Sequence, residues 1–272
     1  MPPTAQPHQS GKKDLPAKTL ERLLLVENLQ EQPYKTVRPL LLQAFADKHY
    51  VVRSAAAEVF GDIGDEHDID KLLPLLTDPH YQVRYITAET LGQFNSPSAI
   101  LPLIAALDDE NDLVRINAAE SLGRLKALNA IAPLTAKLTD SDELVRGYAA
   151  EALGVIGDKT SILPLKQALA CEKRHAARVR LLTALYRLGE TAHLATIIKQ
   201  LNSKNYRVRC ATTNILTELA FDYNLNGISE ILAKRLAKEP TIAVKSTLTR
   251  CLEELAHAKG NAKPATHEAE KL

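Results

Sequence analysis

Tryptophan is absent from this 272-residue chain, aromatic residues amount to 4%, and there is a single methionine. A β-rich core built on aromatic packing is therefore not expected. The 45% of hydrophobic residues is carried by Ala and Leu, which favours helices packed closely through small, unbranched side chains. Cysteine is scarce too. Cys171, Cys210 and Cys251 are odd in number and contain no CxxC pair, which argues against a disulfide framework and for a reducing, cytoplasmic setting. No stretch approaches the ~20 apolar residues of a membrane span, and the N-terminal MPPTAQPHQSGKKD lacks the apolar run of a signal peptide.

Charge of one sign is not in excess either. A net charge of +1 supplies no overall field for DNA, RNA or an anionic membrane, so neither nucleic acid nor membrane is an expected partner. The balance hides a division: residues 1–170 carry 17 Lys/Arg against 23 Asp/Glu, and residues 171–272 carry 17 against 10. The basic part, with Arg174, Arg178, Arg180, Lys204, Arg207 and Arg209, is read as a solvated face. No Gly-rich phosphate loop, nucleophile elbow or HExxH motif is present. Cys171 and His175 stand at helical spacing with Cys210 further on, too scattered a set to indicate a metal site. No catalytic residue, metal or cofactor is expected.

What is there is a repeat. VVRSAAAEVFG, QVRYITAETLG, LVRINAAESLG and LVRGYAAEALG align without a gap. Their arginines, Arg53, Arg84, Arg115 and Arg146, follow one another at one constant step, and the same step separates Glu58, Glu89, Glu120 and Glu151, and Gly61, Gly92, Gly123 and Gly154. Six residues before each arginine stands Asp47, Asp78, Asp109 or Asp140. Beyond Arg146 the pattern is followed through Arg180, Arg209 and Lys245, at spacings of 34, 29 and 36.

Within one repeat, Ile100, Leu103, Ile104 and Leu107 recur at helical spacing, and so do Val114, Ala118, Leu122 and Leu125, with the polar DDEND turn between them. Each unit is thus a helical hairpin, and Ser96-Pro97 predicts an N-cap and first-turn proline for its first helix. Pro102, Pro133 and Pro164 predict a lost hydrogen bond and a bend in that helix. A lone hairpin cannot bury its apolar face, so neighbours stack into a continuous core. The expected fold is all-α: an α-solenoid of about seven hairpins over 33–256, regular to about 156. A capping helix is expected over 15–32, and disordered segments over 1–14 and 257–272.

The mid-helix proline, the turn aspartate, the arginine six residues on and the AAExLG run resemble HEAT repeats, in particular the bacterial phycobilisome-lyase-like subclass. The resemblance implies that Asp47, Asp78, Asp109, Asp140 and the arginines Arg53, Arg84, Arg115, Arg146 form a structural ladder between repeats. It also implies that the second helices line the concave surface. Deoxyhypusine hydroxylase, a HEAT-like enzyme, carries His-Glu pairs just after the arginine; here those places read Ser54-Ala55, Tyr85-Ile86, Ile116-Asn117 and Gly147-Tyr148, and the chain has no HE dipeptide.

With Val114 as the origin of a helical projection, Ala118, Leu122 and Leu125 all fall within about 80° on one side, whereas Glu120 falls at about 240°, nearly opposite. The outward stripe then reads Ser54, Glu58, Asp62; Tyr85, Glu89, Gln93; Ile116, Glu120, Arg124; Gly147, Glu151, Val155, with Leu113 and Tyr148 beside it, and continues as Leu181, Leu185, Arg187, Arg207, Cys210 and Asn214. Glu58, Tyr85, Glu89, Leu113, Ile116, Glu120, Arg124, Tyr148 and Glu151 form the candidate protein-binding surface, suited to a partner with a basic or mixed-charge surface. The expected function is a non-enzymatic protein-binding scaffold of adaptor, chaperone or immunity type. The alternative is a bilin lyase-like accessory subunit, and only under it is a bilin a ligand.

Overall fold

In the computed structural model, which describes residues 15–261, the chain is an all-α solenoid with no strand among the described residues. The expected N-terminal disordered segment lies outside the described residues. The last helix continues to Asn261, five residues into the expected tail, and 262–272 lie outside the described residues.

The fifteen helices among the described residues are α1 (Ala17–Glu27), α2 (Tyr34–Ala44), α3 (Tyr50–Ile63), α4 (Ile69–Leu72), α5 (Tyr81–Leu91), α6 (Ile100–Ala106), α7 (Asp112–Arg124), α8 (Ile131–Lys137), α9 (Glu143–Ile156), α10 (Ile162–Cys171), α11 (His175–Arg187), α12 (Leu194–Lys199), α13 (Tyr206–Asp222), α14 (Ile228–Leu236) and α15 (Ile242–Asn261). They form two compact units, one through Leu165 and the other from Lys166.

In the first unit the second helices α3, α5, α7 and α9 pack directly on one another, each backed by a shorter first helix. Leu72, Leu103, Leu122, Leu134 and Leu153 are fully buried between the two rows. The second unit has its own core, in which Val208, Leu216, Leu232, Val244 and Leu248 are at most 2% exposed.

The prolines sit where each first helix changes type. Pro102, Pro133 and Pro164 are each the third residue of α6, α8 and α10, directly after the 3-10 turns Pro97–Ala99, Leu128–Ala130 and Lys159–Ser161. The first four N–H groups of an α-helix have no α-helical acceptor in any case, so a proline there forfeits no α-helical bond. Counted from the start of its 3-10 turn, each first helix has its proline at the sixth residue, just past the change from 3-10 to α. Ser96 precedes that turn but makes no side-chain cap; its hydroxyl pairs with Ser98.

Two repeat glycines, Gly92 directly after α5 and Gly123 within α7, permit close approach of neighbouring second helices. A Cβ at Gly92 would stand 2.9 Å from Ser121 Cα, and one at Gly123 would stand 2.9 Å from Ala152 Cα. Small residues six after the arginine complete the contact: Ser121 Oγ donates to Ala88 O at 2.7 Å, and Thr90 Oγ1 to Ala57 O at 3.2 Å.

Candidate protein-binding surface

The repeat aspartates and arginines fasten the second helices before any surface is presented. Arg53 donates from Nε and Nη2 to Asp78, Arg84 to Asp109 and Arg115 to Asp140, at 2.6 to 3.0 Å. The Nη1 of each donates to the carbonyl of its own repeat's aspartate, as does Arg146 Nη1 to Asp140 O. Each aspartate also accepts from the backbone N–H two residues on: His49, His80, Asn111 and Asp142. Burial pushes the carboxyls of Asp47, Asp78 and Asp140 upward, but the arginine and backbone donors outweigh it and hold them below the ordinary carboxylate range.

The same geometry starts one repeat earlier than the sequence reading placed it. Arg22 on α1 forks onto Asp47, at 2.6 and 3.2 Å, and Glu27 follows five residues later as Glu58 follows Arg53. The helix expected as a cap thus carries the arginine and glutamate of a second helix, Arg22 standing one whole period before Arg53, although its Nη1 donates to Lys18 O, four residues back. Farther along, the repeat arginine is Arg178, not Arg180. Arg178 Nη1 donates to Glu172 O six residues back, and Glu172 accepts from Arg174 N, so a glutamate stands in the aspartate's place. From Arg146 the steps become 32 and 31, close to the regular period, and then 36 to Lys245. In the second unit Arg209 donates to Ser203 O and forks onto the buried Glu239, where Arg235 and Thr241 N also donate.

These corrections redraw the outward stripe. Glu58, Leu113 and Arg124 are exposed, while Tyr85, Glu89, Glu120, Tyr148 and Glu151 are half-buried. Ile116 is buried, 6% exposed, and Ser54 and Gly147 are buried with it. The projection measured direction only from the core inside one hairpin. Neighbouring second helices cover both flanks as well: on α7 Ser121 meets the helix before and Gly123 the helix after. The arc left open is only about 60° wide, from Glu120 through Leu113 and Arg124 to Asn117. Ile116, at about 200°, lies under the adjacent helix.

Five glutamates therefore share one register position on the first unit's second helices: Glu27, Glu58, Glu89, Glu120 and Glu151. Burial, then the nearby charges of Glu120 and Glu58, raise the Glu89 carboxyl above its ordinary range, with Arg124 opposing. Arg124 pairs with Glu120 on its own helix. Tyr85 lies beside Glu89 and Glu58; burial, then those carboxylates, raise its phenol. Tyr81 and Tyr85 are 6.3 Å apart by ring centroid.

In the second unit the corrected register places Thr183, Asn214 and Arg250 at the glutamate position. Thr183 is buried and donates to Val179 O, and Arg250 donates to Asn214 at 2.8 Å. Leu181 and Leu185, expected on the stripe, are 1% and 0% exposed, because Arg180 was the wrong reference. Arg187 does lie on it, paired with Glu218. Cys210 is half-buried and accepts from Thr247, and Arg207 is exposed at the start of α13.

Comparison with known proteins follows this geometry. The HEAT repeats family matches the sequence over residues 17–82, 69–154, 102–177 and 131–216. No match was found among curated proteins. The solved complex of CpcE and CpcF of phycocyanin lyase from Nostoc sp. PCC7120 is similar at 20% identity over 80% of this chain and 94% of that chain, with a TM-score of 0.60. The karyopherin Kap121p bound to Nup53p is similar at 16% identity over 89% of this chain and 33% of that one, with a TM-score of 0.56. Kap121p bound to the extreme C-terminus of Cdc14p gives 18% identity, 78% and 26% coverage, and a TM-score of 0.53. At these identities the structural likeness speaks for the fold alone. With the family match spanning most of the sequence, and with the arginine-to-aspartate junctions between successive hairpins, the chain belongs to the HEAT-repeat family.

Proposed function

We propose that the protein is a non-enzymatic scaffold whose first unit holds a basic or mixed-charge segment of another protein along the glutamate column of α3, α5 and α7. The observation that carries this reading is the placement of Glu58, Glu89 and Glu120 at one register position on adjacent helices. Like charges so placed on neighbouring helices repel, and Glu89 bears the repulsion half-buried. A cationic side chain laid along the column would relieve it, and Tyr85 and Leu113 supply apolar contact beside it. Ile116 has no part in the surface.

The test is affinity capture with in-place cross-linking, comparing wild type with a variant in which Glu89, Glu120 and Glu151 are replaced by Lys. Cross-links from a captured partner should fall on α5 and α7 and vanish in the variant. Equal capture by both, or cross-links elsewhere, would sink the assignment. The second reading, an accessory subunit holding a chromophore and its acceptor, draws on the shared fold of the phycocyanin lyase component. It requires a covalent coloured adduct when the chain is co-expressed with a bilin and a phycobiliprotein acceptor.

A further inference from the structure

The turns of the second unit carry a different surface. Three of them lead from a first helix into a second helix: 172–174, 203–205 and 237–241. The helices they open, α11, α13 and α15, pack side by side, so these turns share one edge. Of the six cations noted in the sequence, Arg178 and Arg209 are spent on backbone carbonyls or on Glu239. Arg180 is half-buried, and Arg174, Lys204 and Arg207 are exposed at this edge, joined by Lys173 and Lys238. The acidic residues of the three turns are Glu172, which accepts from Arg174 N, and Glu239, whose side chain is fully buried.

Two features meet at this edge. A helix start is the positive end of its dipole and favours anions, as Asp112 and Glu143 supply at the starts of α7 and α9. α11, α13 and α15, like α3 and α5, have no acidic residue in their first turns, but they carry exposed cations there or in the turn before. Their exposed cations therefore oppose the helix dipole. The second feature owes nothing to charge. Ile242, at the start of α15, is 83% exposed, and Tyr206, at the start of α13, is 44% exposed. Apolar side chains placed among cations suit an occupant that is both acidic and apolar.

We infer that this edge docks an acidic peptide segment carrying at least one large apolar side chain, through Lys173, Lys204, Arg207 and Ile242. A polynucleotide fits less well. Arg207 already lies over the Tyr206 ring, 5.9 Å from its centroid, so that face is not open for a base to stack upon. Ile242 has nothing to offer a phosphodiester chain.

The test uses the full chain and fluorescence anisotropy. The probes are a fluorescein-labelled peptide of Asp and Glu interspersed with Leu and Phe, its counterpart with the acids replaced by Lys, and a labelled single-stranded oligonucleotide. Wild type should bind the acidic peptide saturably at low salt and ignore the Lys peptide. Lys204→Glu with Arg207→Glu should weaken binding by about tenfold or more. Ile242→Ser should weaken it by about threefold or more. Lys204→Arg with Arg207→Lys should retain it. Far-UV circular dichroism checks each variant, and if the charge reversal does not fold, Lys204→Gln with Arg207→Gln takes its place. No saturable peptide binding, binding unchanged by reversal or by Ile242→Ser, or tighter binding of the oligonucleotide would overturn the assignment.

Discussion

Replacing Glu239 by Gln removes one charge at the most enclosed ion pair of the second unit. The Glu239 side chain is fully buried and that of Arg209 is 7% exposed. Its carboxylate accepts from Arg209 Nε and Nη2 at 3.0 and 2.8 Å, from Arg235 Nε at 3.0 Å, and from Thr241 N at 2.9 Å. An amide accepts at one oxygen and leaves two guanidiniums facing a neutral group. Arg235, 18% exposed, can turn toward water, whereas Arg209 is held by Ser203 O and Lys204 O. Stranding a buried charge costs about 3–5 kcal/mol. Urea denaturation near pH 7 should show a loss of that order. Because repeat arrays are coupled mainly between neighbours, hydrogen exchange should locate it in α13 and α15 and spare α3 to α9.

The same substitution should change the acid response. Burial pushes the Glu239 carboxyl upward, but the arginine and Thr241 donors win and bring it from 4.5 to about 2. The folded pKa is depressed, so the contribution is complete above 4.5 and is lost as pH falls toward 2. Over that window wild type should lose up to about 1.4 kcal/mol per pH unit more than the Glu239→Gln protein. A loss below about 1 kcal/mol at pH 7, or identical acid slopes in the two proteins, would refute the reasoning.

Gly123→Ala puts a methyl 2.9 Å from Ala152 Cα, where no side chain can swing aside, and should cost about 1–3 kcal/mol in urea unfolding. His49 and His80 cap α3 and α5 by accepting from Val51 N and Gln82 N, whereas Asn111, Asp142 and Asn205 do the same work at the equivalent places. Burial and the nearby Arg53, Arg84 and His49 depress the His80 imidazole, with Asp78 opposing, so its contribution is intact above its ordinary value of 6.5 and lost as pH falls below it. His80→Asn keeps the cap but loses the ring stacked on Tyr50, so it should melt below wild type at neutral pH, with the deficit shrinking in mild acid. Glu89→Gln relieves repulsion from Glu120 and Glu58 and should raise stability slightly, by about 0.5 kcal/mol or less, while weakening partner capture.

The fold and much of its fastening are written in the repeat period. A strict period with two amphipathic stripes leaves stacking as the way to bury the apolar faces, and phase alone singled out Asp78, Asp109 and Asp140 with the arginines that reach them. Arg22 and Arg178 were legible too, the one a full period before Arg53 and the other close to a period after Arg146, but reading α1 as a cap and the later repeats from Arg180 hid them. How much of each second helix stays open depends on packing between hairpins. Helical projection sees one hairpin, whereas burial on α7 is set by α5 and α9 packed against its two sides; that is why Ile116 is covered and Glu120 is not. The structure also decided which cations of the second unit remain at the surface. Arg178, Arg209 and Arg207 are alike in composition, but the first two point inward to carbonyls or a buried carboxylate, and Arg207 stands apart from that network at the start of α13.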